Sequence, residues 1–131
     1  MIRIIAVGRL STEYKSLEEE YMKRMRNSVE ILELKESEEK NILDKVKGAL
    51  VALDLKGKQY SSEEFAQFLK QNDKLCFVIG GHQGLPENVL QQAQYTISFS
   101  RMTFPHQLFR IILLEQIYRG YSILQNKPYH K

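Results

Sequence analysis

The sequence predicts an α/β domain of three layers, with helices on both faces of a mainly parallel sheet. Two observations carry this. Short apolar runs alternate with amphipathic helical stretches along the whole chain. Three of the runs, "RIIAV", "ALVALDL" and "LCFVIGG", are apolar almost without interruption, the pattern of strands covered on both faces. No linker, repeat or low-complexity segment divides the 131 residues, so residues 1–131 read as a single domain. A chain of that length buries roughly two-thirds of the surface it exposes when unfolded.

Residues 3–7, "RIIAV", end at Gly8 and form the first strand. Tyr14, Leu17, Tyr21 and Met25 recur at spacings of three and four and predict an amphipathic helix. "VEILEL" (29–34) is the second strand. In "SEEKNILDKVKG", Ile42, Leu43 and Val46 point inward together, which predicts a short helix closed by Gly48. "ALVALDL" (49–55) is the third strand, followed by a turn at "KGK". Ser61 and Glu64 then make a capping box for a helix reaching Leu69. "LCFVIGG" (75–81) is the fourth strand, and Pro86 suits the first turn of a helix reaching Ala93. "YTISFS" (95–100) is the fifth strand, and a long helix runs from Pro105 to Leu124.

Composition removes several classes of function. Hydrophobic residues at 43% and charged residues at 27% are ordinary for a globular protein. No stretch approaches 18 consecutive apolar residues, so no membrane-spanning helix is expected. The start, "MIRIIAVGRL", has a short apolar run and no small-residue cleavage site, and reads as a strand rather than a secretory signal. The lone Cys76 lies in an apolar run, which excludes a disulfide framework and favours a cytoplasmic location. His82, His106 and His130 stand apart in the sequence without CxxC or HxxxH spacing, so no metal site is expected. No serine occupies a nucleophile elbow, which leaves a Ser-His-Asp hydrolase without support. The net charge of +3 decides little, but "KRMR" (23–26) and "NKPYHK" (126–131) concentrate positive charge. Such patches suit a polyanion, and a plain solvated face is the other reading.

In open parallel sheets, ligands bind beyond the carboxyl ends of the strands. Three loops qualify: "LDLKGK" (53–58), "IGGHQGL" (79–85) and "SRMTFPH" (100–106). The glycines of the second permit close backbone approach to a ligand. "GGHQG" nevertheless lacks the Gly-Lys-Ser/Thr of a phosphate loop and the G-x-G-x-x-G spacing of a dinucleotide site, so a simple tight turn stays open. The last helix carries a second message. Residues 108–114, "LFRIILL", are apolar nearly all round. One face can cover the sheet, and the other is expected to meet a second copy of the chain, giving a homodimer.

Three stretches, "FVIGGHQGL", "SFSRMTFPHQLFRIILLEQIYRGYSI" and the terminal "PYHK", together resemble the RlmH family. These are small SPOUT-class methyltransferases that modify a pseudouridine of large-subunit ribosomal RNA. "LDLKGKQYSSEEFAQFL" is similar to the family's central segment. The resemblance is close over residues 49–131 and looser over 1–8. It implies a C-terminal trefoil knot whose backbone binds S-adenosyl-L-methionine. The implied cofactor contacts fall on Leu53, on Gly80, and on the run Phe99, Ser100, Arg101, Met102, Thr103 and Phe104. Phe99, Met102 and Phe104 supply apolar walls on this reading, and Pro105 ends the pairing and starts the helix. The chain also departs from the family pattern. The region between residues 34 and 49 is shorter than in typical members, Gly120 stands where alanine is usual, and no glycine precedes the terminal motif.

The resemblance further implies methylation of N3 of a pseudouridine in 23S ribosomal RNA, with the assembled ribosome as partner. Methyl transfer asks for in-line alignment, and the weakly acidic imide asks for a base or a cation that stabilises the developing charge. The catalytic candidates are Glu115 and Arg119 on the last helix and Tyr129 and His130 on the tail, with Lys131, Tyr118 and His106 near them. Glu115 and Arg119 stand four apart and can equally form a purely structural pair. A proline-anchored aromatic beside basic groups can stack on a base and neutralise phosphate at once. A SPOUT-like enzyme acting on transfer RNA and a non-enzymatic ribosome-associated RNA-binding protein are the alternatives.

Overall fold

The computed structural model describes residues 1–130, and Lys131 lies outside the described residues. Strands β1 (Ile2–Val7), β2 (Val29–Leu34), β3 (Ala49–Gln59), β4 (Leu75–Ile79) and β5 (Tyr95–Ser98) form one sheet in the order β2-β1-β4-β3-β5. Every adjacent pair runs parallel. β4 shows why the strands read as apolar runs. Leu75, Phe77 and Ile79 enter one core while Cys76 and Val78 enter the other, so no position is left for a polar side chain.

The larger core lies under α1 (Thr12–Met25), α2 (Ser62–Gln71) and α4 (His106–Leu124). It joins Met25, Phe65, Phe68, Leu69, Leu113, Leu114 and Ile117 to the strands. The smaller core on the opposite face is closed by Ile42 from the β2–β3 connection and by Val89 of α3 (Glu87–Gln92). These are the three expected layers, around a sheet that is wholly parallel. The capping box of α2 forms as read: Glu64 N–H donates to Ser61 Oγ at 3.0 Å, and Ser61 N–H donates to the Glu64 carboxylate at 2.8 Å. Pro86 and Pro105 stand at the N-caps of α3 and α4.

Three expectations need correction. The stretch read as a short helix before β3 is a pair of 3-10 turns, Glu36–Asn41 and Leu43–Lys45. "ESEEKN" offers no apolar side chain to bury, so nothing holds a full α-helix against the sheet, and the backbone tightens around the single fully buried plug Ile42. Gly48 caps no helix; it follows the extended Val46 and leads into β3. Next, β3 does not turn at "KGK" but continues to Gln59. Its register slips so that Leu53 and Lys58 both oppose Ile97, and the intervening residues form a bulge. A Cβ on Gly57 would lie 2.6 Å from the Ile97 nitrogen, so only glycine lets the bulge close on β5.

The third correction concerns α4. Arg110, inside the apolar-looking "LFRIILL", is only 4% exposed. Its Nε and Nη2 donate to Glu18 of α1 at 2.6 and 3.1 Å. Its Nη1 donates to Glu33 of β2 at 2.9 Å and to the Gly8 carbonyl at 3.4 Å. α4 itself packs against both α1 and α2, which buries Ile111, Leu113, Leu114 and Ile117 within one protomer. Most of the apolar surface that pointed to a second subunit is therefore covered by the chain's own helices. Leu108, Phe109 and Ile112 stay half-buried.

Candidate active site

The bulge of β3 and the C-terminal ends of β4 and β5 open onto a cavity of about 670 Å³, within the range of small-molecule sites. All three loops singled out in the sequence line it. Of the cofactor residues implied by the resemblance, Leu53, Gly80, Phe99, Ser100, Met102, Thr103 and Phe104 are on its wall. Arg101 is exposed and does not line it, because the loop turns its side chain out to solvent.

The loop after β5 is braced from within. Ser98 Oγ donates to the Ser100 carbonyl at 2.9 Å, and Met102 N–H donates to Ser100 Oγ at 2.9 Å. Phe99 packs edge-on against Phe65 and Phe109, and Phe104 stacks on Phe109. The apolar wall is thus anchored in the larger core, while Met102, 74% exposed, stands at the mouth. Gly80 also needs a new reason. A Cβ there would meet the Gly84 carbonyl carbon at 2.4 Å and the Leu85 nitrogen at 2.7 Å. The close approach of its own turn is by itself enough to require glycine here.

The cavity gathers two residues that sequence spacing keeps apart. The rings of His82 and His106 lie 6.4 Å apart, centroid to centroid, and both line the wall. His82 Nδ1 is bonded to the Glu36 carboxylate at 2.9 Å. The available signal was location: each histidine sits in a loop at a strand's carboxyl end. Among the described residues no group of three potential metal ligands occurs.

The catalytic candidates form a separate, connected cluster. Arg119 donates through Nη2 and Nε to the two Glu115 oxygens at 2.9 and 3.3 Å. Tyr129 O–H donates to Glu115 at 2.8 Å, and Gln116 donates to it at 3.0 Å. Arg119 Nη1 donates to His130 Nδ1 at 2.9 Å, so His130 Nε2 is the donor to Glu63, also at 2.9 Å. The Arg119 guanidinium lies 4.9 Å from the Tyr129 ring centroid, and Tyr118 meets the same ring edge-on at 4.8 Å. Burial, reinforced by the Glu115 carboxylate, pushes the Tyr129 phenol well above its ordinary value. The hydrogen bond to Glu115 raises Arg119 further, and the His130 hydrogen bond lowers Glu63. With four donors around it, Glu115 is an organiser of Arg119 and Tyr129 rather than a free base. None of Glu115, Arg119, Tyr129 or His130 lines the cavity.

The sequence matches the family described as "Predicted SPOUT methyltransferase" over residues 1–130. It is also similar to proteins named Ribosomal RNA large subunit methyltransferase H. Those of Clostridium perfringens strain 13, Clostridium botulinum strain Alaska E43 and Clostridium beijerinckii are 41%, 43% and 42% identical to it. Each comparison covers 99% of this chain and 99% of the relative. The chain belongs to the RlmH family of SPOUT methyltransferases.

It is accordingly an S-adenosylmethionine-dependent methyltransferase. The cavity fits that cofactor: it is large enough, its wall at β3 and β5 is apolar, and imidazoles stand on the β4 side. The comparisons run over 157 residues against 131 here, so these RlmH relatives are the longer chains. Among the described residues no helix is long and apolar enough to cross a membrane.

Proposed function

We propose that this enzyme methylates N3 of a pseudouridine in 23S ribosomal RNA, on the assembled ribosome and as a homodimer. The observation that carries the reading is the tail cluster, in which Glu115 holds a guanidinium against the ring of Tyr129. Bound S-adenosylmethionine supplies an electrophilic methyl group. Leu53, Gly80 and residues 99–104 hold it, with the loop backbone, Arg101 included, at the adenine edge. Arg119 is the fixed cation that stabilises negative charge on the imide carbonyls as the N3 proton leaves to solvent. Tyr129 offers a stacking surface to the base. His130, bonded between Arg119 and Glu63, keeps the tail seated.

The dimer follows from placement along α4. Glu115 and Arg119 lie nine and thirteen residues beyond His106, about 14 and 20 Å along the helix at 1.5 Å per residue. A protomer's own cluster is thus remote from its own cavity, and a two-fold partner brings the two together. Exposed Leu17 of α1 and half-buried Leu108 and Ile112 of α4 supply apolar contact for that partner. The knot is supported by the path of the chain: it leaves the edge strand β5, passes the ends of β3 and β4, and returns as α4 between α1 and α2.

The test is transfer of labelled methyl groups to ribosomes from a strain lacking the modification, followed by mass mapping of the RNA. Full-length protein should label one site in 23S RNA, and protein lacking residues 129–131 should not. Equal rates for the two overturn the tail's role, and label in transfer RNA instead overturns the substrate. Light scattering should give twice the chain mass. Mixing tail-less subunits with Gly80-substituted subunits should restore activity if each site is shared between protomers.

A further inference from the structure

We infer that Gln116 is a positioning residue for the Arg119 guanidinium, and that Ser62 of α2 holds Gln116 in the one orientation that lets it act. The inference rests on the reading that Arg119 is the cation which stabilises the developing charge, and it names what aims that cation. Neither Gln116 nor Ser62 lines the cavity. Each of the two Glu115 oxygens takes two donors. At Oε2 they are Arg119 Nη2 at 2.9 Å and the Tyr129 hydroxyl at 2.8 Å. At Oε1 they are Gln116 Nε2 at 3.0 Å and Arg119 Nε at 3.3 Å. The Arg119 contact at Oε1 is the longest of the four, so the shorter bond from Gln116 anchors that oxygen. Without it the carboxylate can swing about Oε2, and the planar fork of Arg119 loses the second point that fixes its tilt. Tyr129 pins Oε2 from the tail, beyond the end of α4, whereas Gln116 pins Oε1 from within the helix.

The direction of the amide follows from its partners. A carboxylate only accepts, so the Gln116 NH2 must face Glu115 and its carbonyl must face away. On that side the Ser62 hydroxyl donates to Gln116 Oε1 at 2.8 Å, which locks the amide against flipping. The packing of α2 on α4 sets this pair in register. One turn along each helix, Gly120 lies against α2: a Cβ there would stand 3.5 Å from the Ala66 Cα and 2.8 Å from Leu69 Cδ1. Ser62 meets Gln116 one turn earlier on both. Hydrogen bonds thus run without a break from the first turn of α2 through Ser62, Gln116 and Glu115 to Arg119. The same turn reaches Arg119 a second way, since Glu63 accepts from His130 and His130 accepts from Arg119 Nη1.

The experiment pairs methyl-transfer kinetics on ribosomes lacking the modification with the side-chain Nε–H proton resonance of Arg119, assigned by its absence from Arg119→Lys. Gln116→Leu keeps the bulk and suits the apolar side of its cleft, lined by Phe65, Phe99, Phe104 and Ile112. It should lower kcat roughly tenfold, because misplacing a reacting group by about an ångström costs up to about a hundredfold. KM for ribosomes should stay within about twofold, and the Nε–H resonance should broaden. Ser62→Ala should lower kcat about threefold, the worth of one hydrogen bond, and Ser62→Thr, which keeps the hydroxyl, should recover it. That pair decides the matter if Gln116→Leu folds poorly. In an Arg119→Lys background, where the fork is already gone, Gln116→Leu should cost little more. A staple between helices with no bearing on Arg119 would lower the melting midpoint and leave kcat and the resonance alone. That result, or a kcat loss that persists undiminished in the Arg119→Lys background, overturns the inference. A broadened resonance with unchanged kcat confirms that Gln116 positions Arg119 and overturns the reading of Arg119 as the stabilising cation.

Discussion

Replacing Arg110 with methionine tests whether α4 is held by charge as well as by apolar packing. The substitution keeps the flexible apolar stem of the side chain but removes the guanidinium. Glu18, whose side chain is 15% exposed, loses both of its hydrogen bonds from Arg110, and Glu33 loses its bond at 2.9 Å. Breaking a buried ion pair by deleting one partner costs about 3–5 kcal/mol, because the remaining charge stays desolvated. For a domain of this size each kcal/mol moves the melting midpoint by about 4 °C, so a fall of roughly 10–20 °C is expected. Urea denaturation at constant m-value measures the loss directly. The triple substitution Arg110→Met with Glu18→Gln and Glu33→Gln should recover part of it, since no charge is then stranded. Arg110→Lys should fall between, because a point charge cannot bridge both carboxylates as the planar fork does. An Arg110→Met protein within 1 kcal/mol of wild type, or a triple variant no better than the single, would refute the reasoning.

Gly80→Ala should lower thermal stability and cofactor affinity together, because the new methyl must displace the Gly84–Leu85 backbone; weaker binding with an unchanged melting midpoint would show that the glycine faces the ligand after all. The raised Tyr129 phenol makes a prediction about pH. A folded-state value above the unfolded one means its contribution is complete below about pH 10 and is lost as pH rises toward the folded value. Tyr129→Phe should therefore lack that alkaline loss, and identical stability profiles for the two proteins above pH 10 would count against the hydrogen bond to Glu115. Arg24 lies 5.5 and 5.3 Å from the ring centroids of Tyr21 and Tyr118, so it is fixed beside the tail cluster. Arg24→Ala should raise KM for ribosomes more than Lys23→Ala or Arg26→Ala, and equal effects would reduce all three to a diffuse basic surface.

The strands were legible because double-sided burial leaves its mark locally. In "LCFVIGG" and "ALVALDL" nearly every neighbour is apolar, and that needs no knowledge of the partner strands. The capping box of α2 was legible for the same reason, as its two hydrogen bonds join residues three apart. What escaped is long-range. Arg110 finds Glu18 across 92 positions, so periodicity scored it as an interruption of an apolar helix rather than as its anchor. His82 and His106 were read as isolated because spacing along the chain says nothing about loops that meet beyond a sheet. The membership of the tail cluster came from the resemblance, yet its wiring did not. That Glu115 is saturated, and so unsuited to take a proton, is visible only when its four donors are in place. β3 ran past its predicted turn because the bulge absorbs "KGK" without releasing the strand from β5.

The charged connection between β2 and β3 has a kinetic consequence. Residues 36–45 cover the smaller core with only Ile42 and the partly buried Leu43. An excursion that lifts those turns uncovers Val78 and Cys76 without disturbing α1, α2 or α4, which lie on the opposite face. While the layer is closed, burial raises the Cys76 thiol and keeps it inert. The lone sulfur is therefore a native clock for breathing of this layer. Because Glu36 rides on the same turns and grips His82, each opening also slackens the loop at the imidazole end of the cavity.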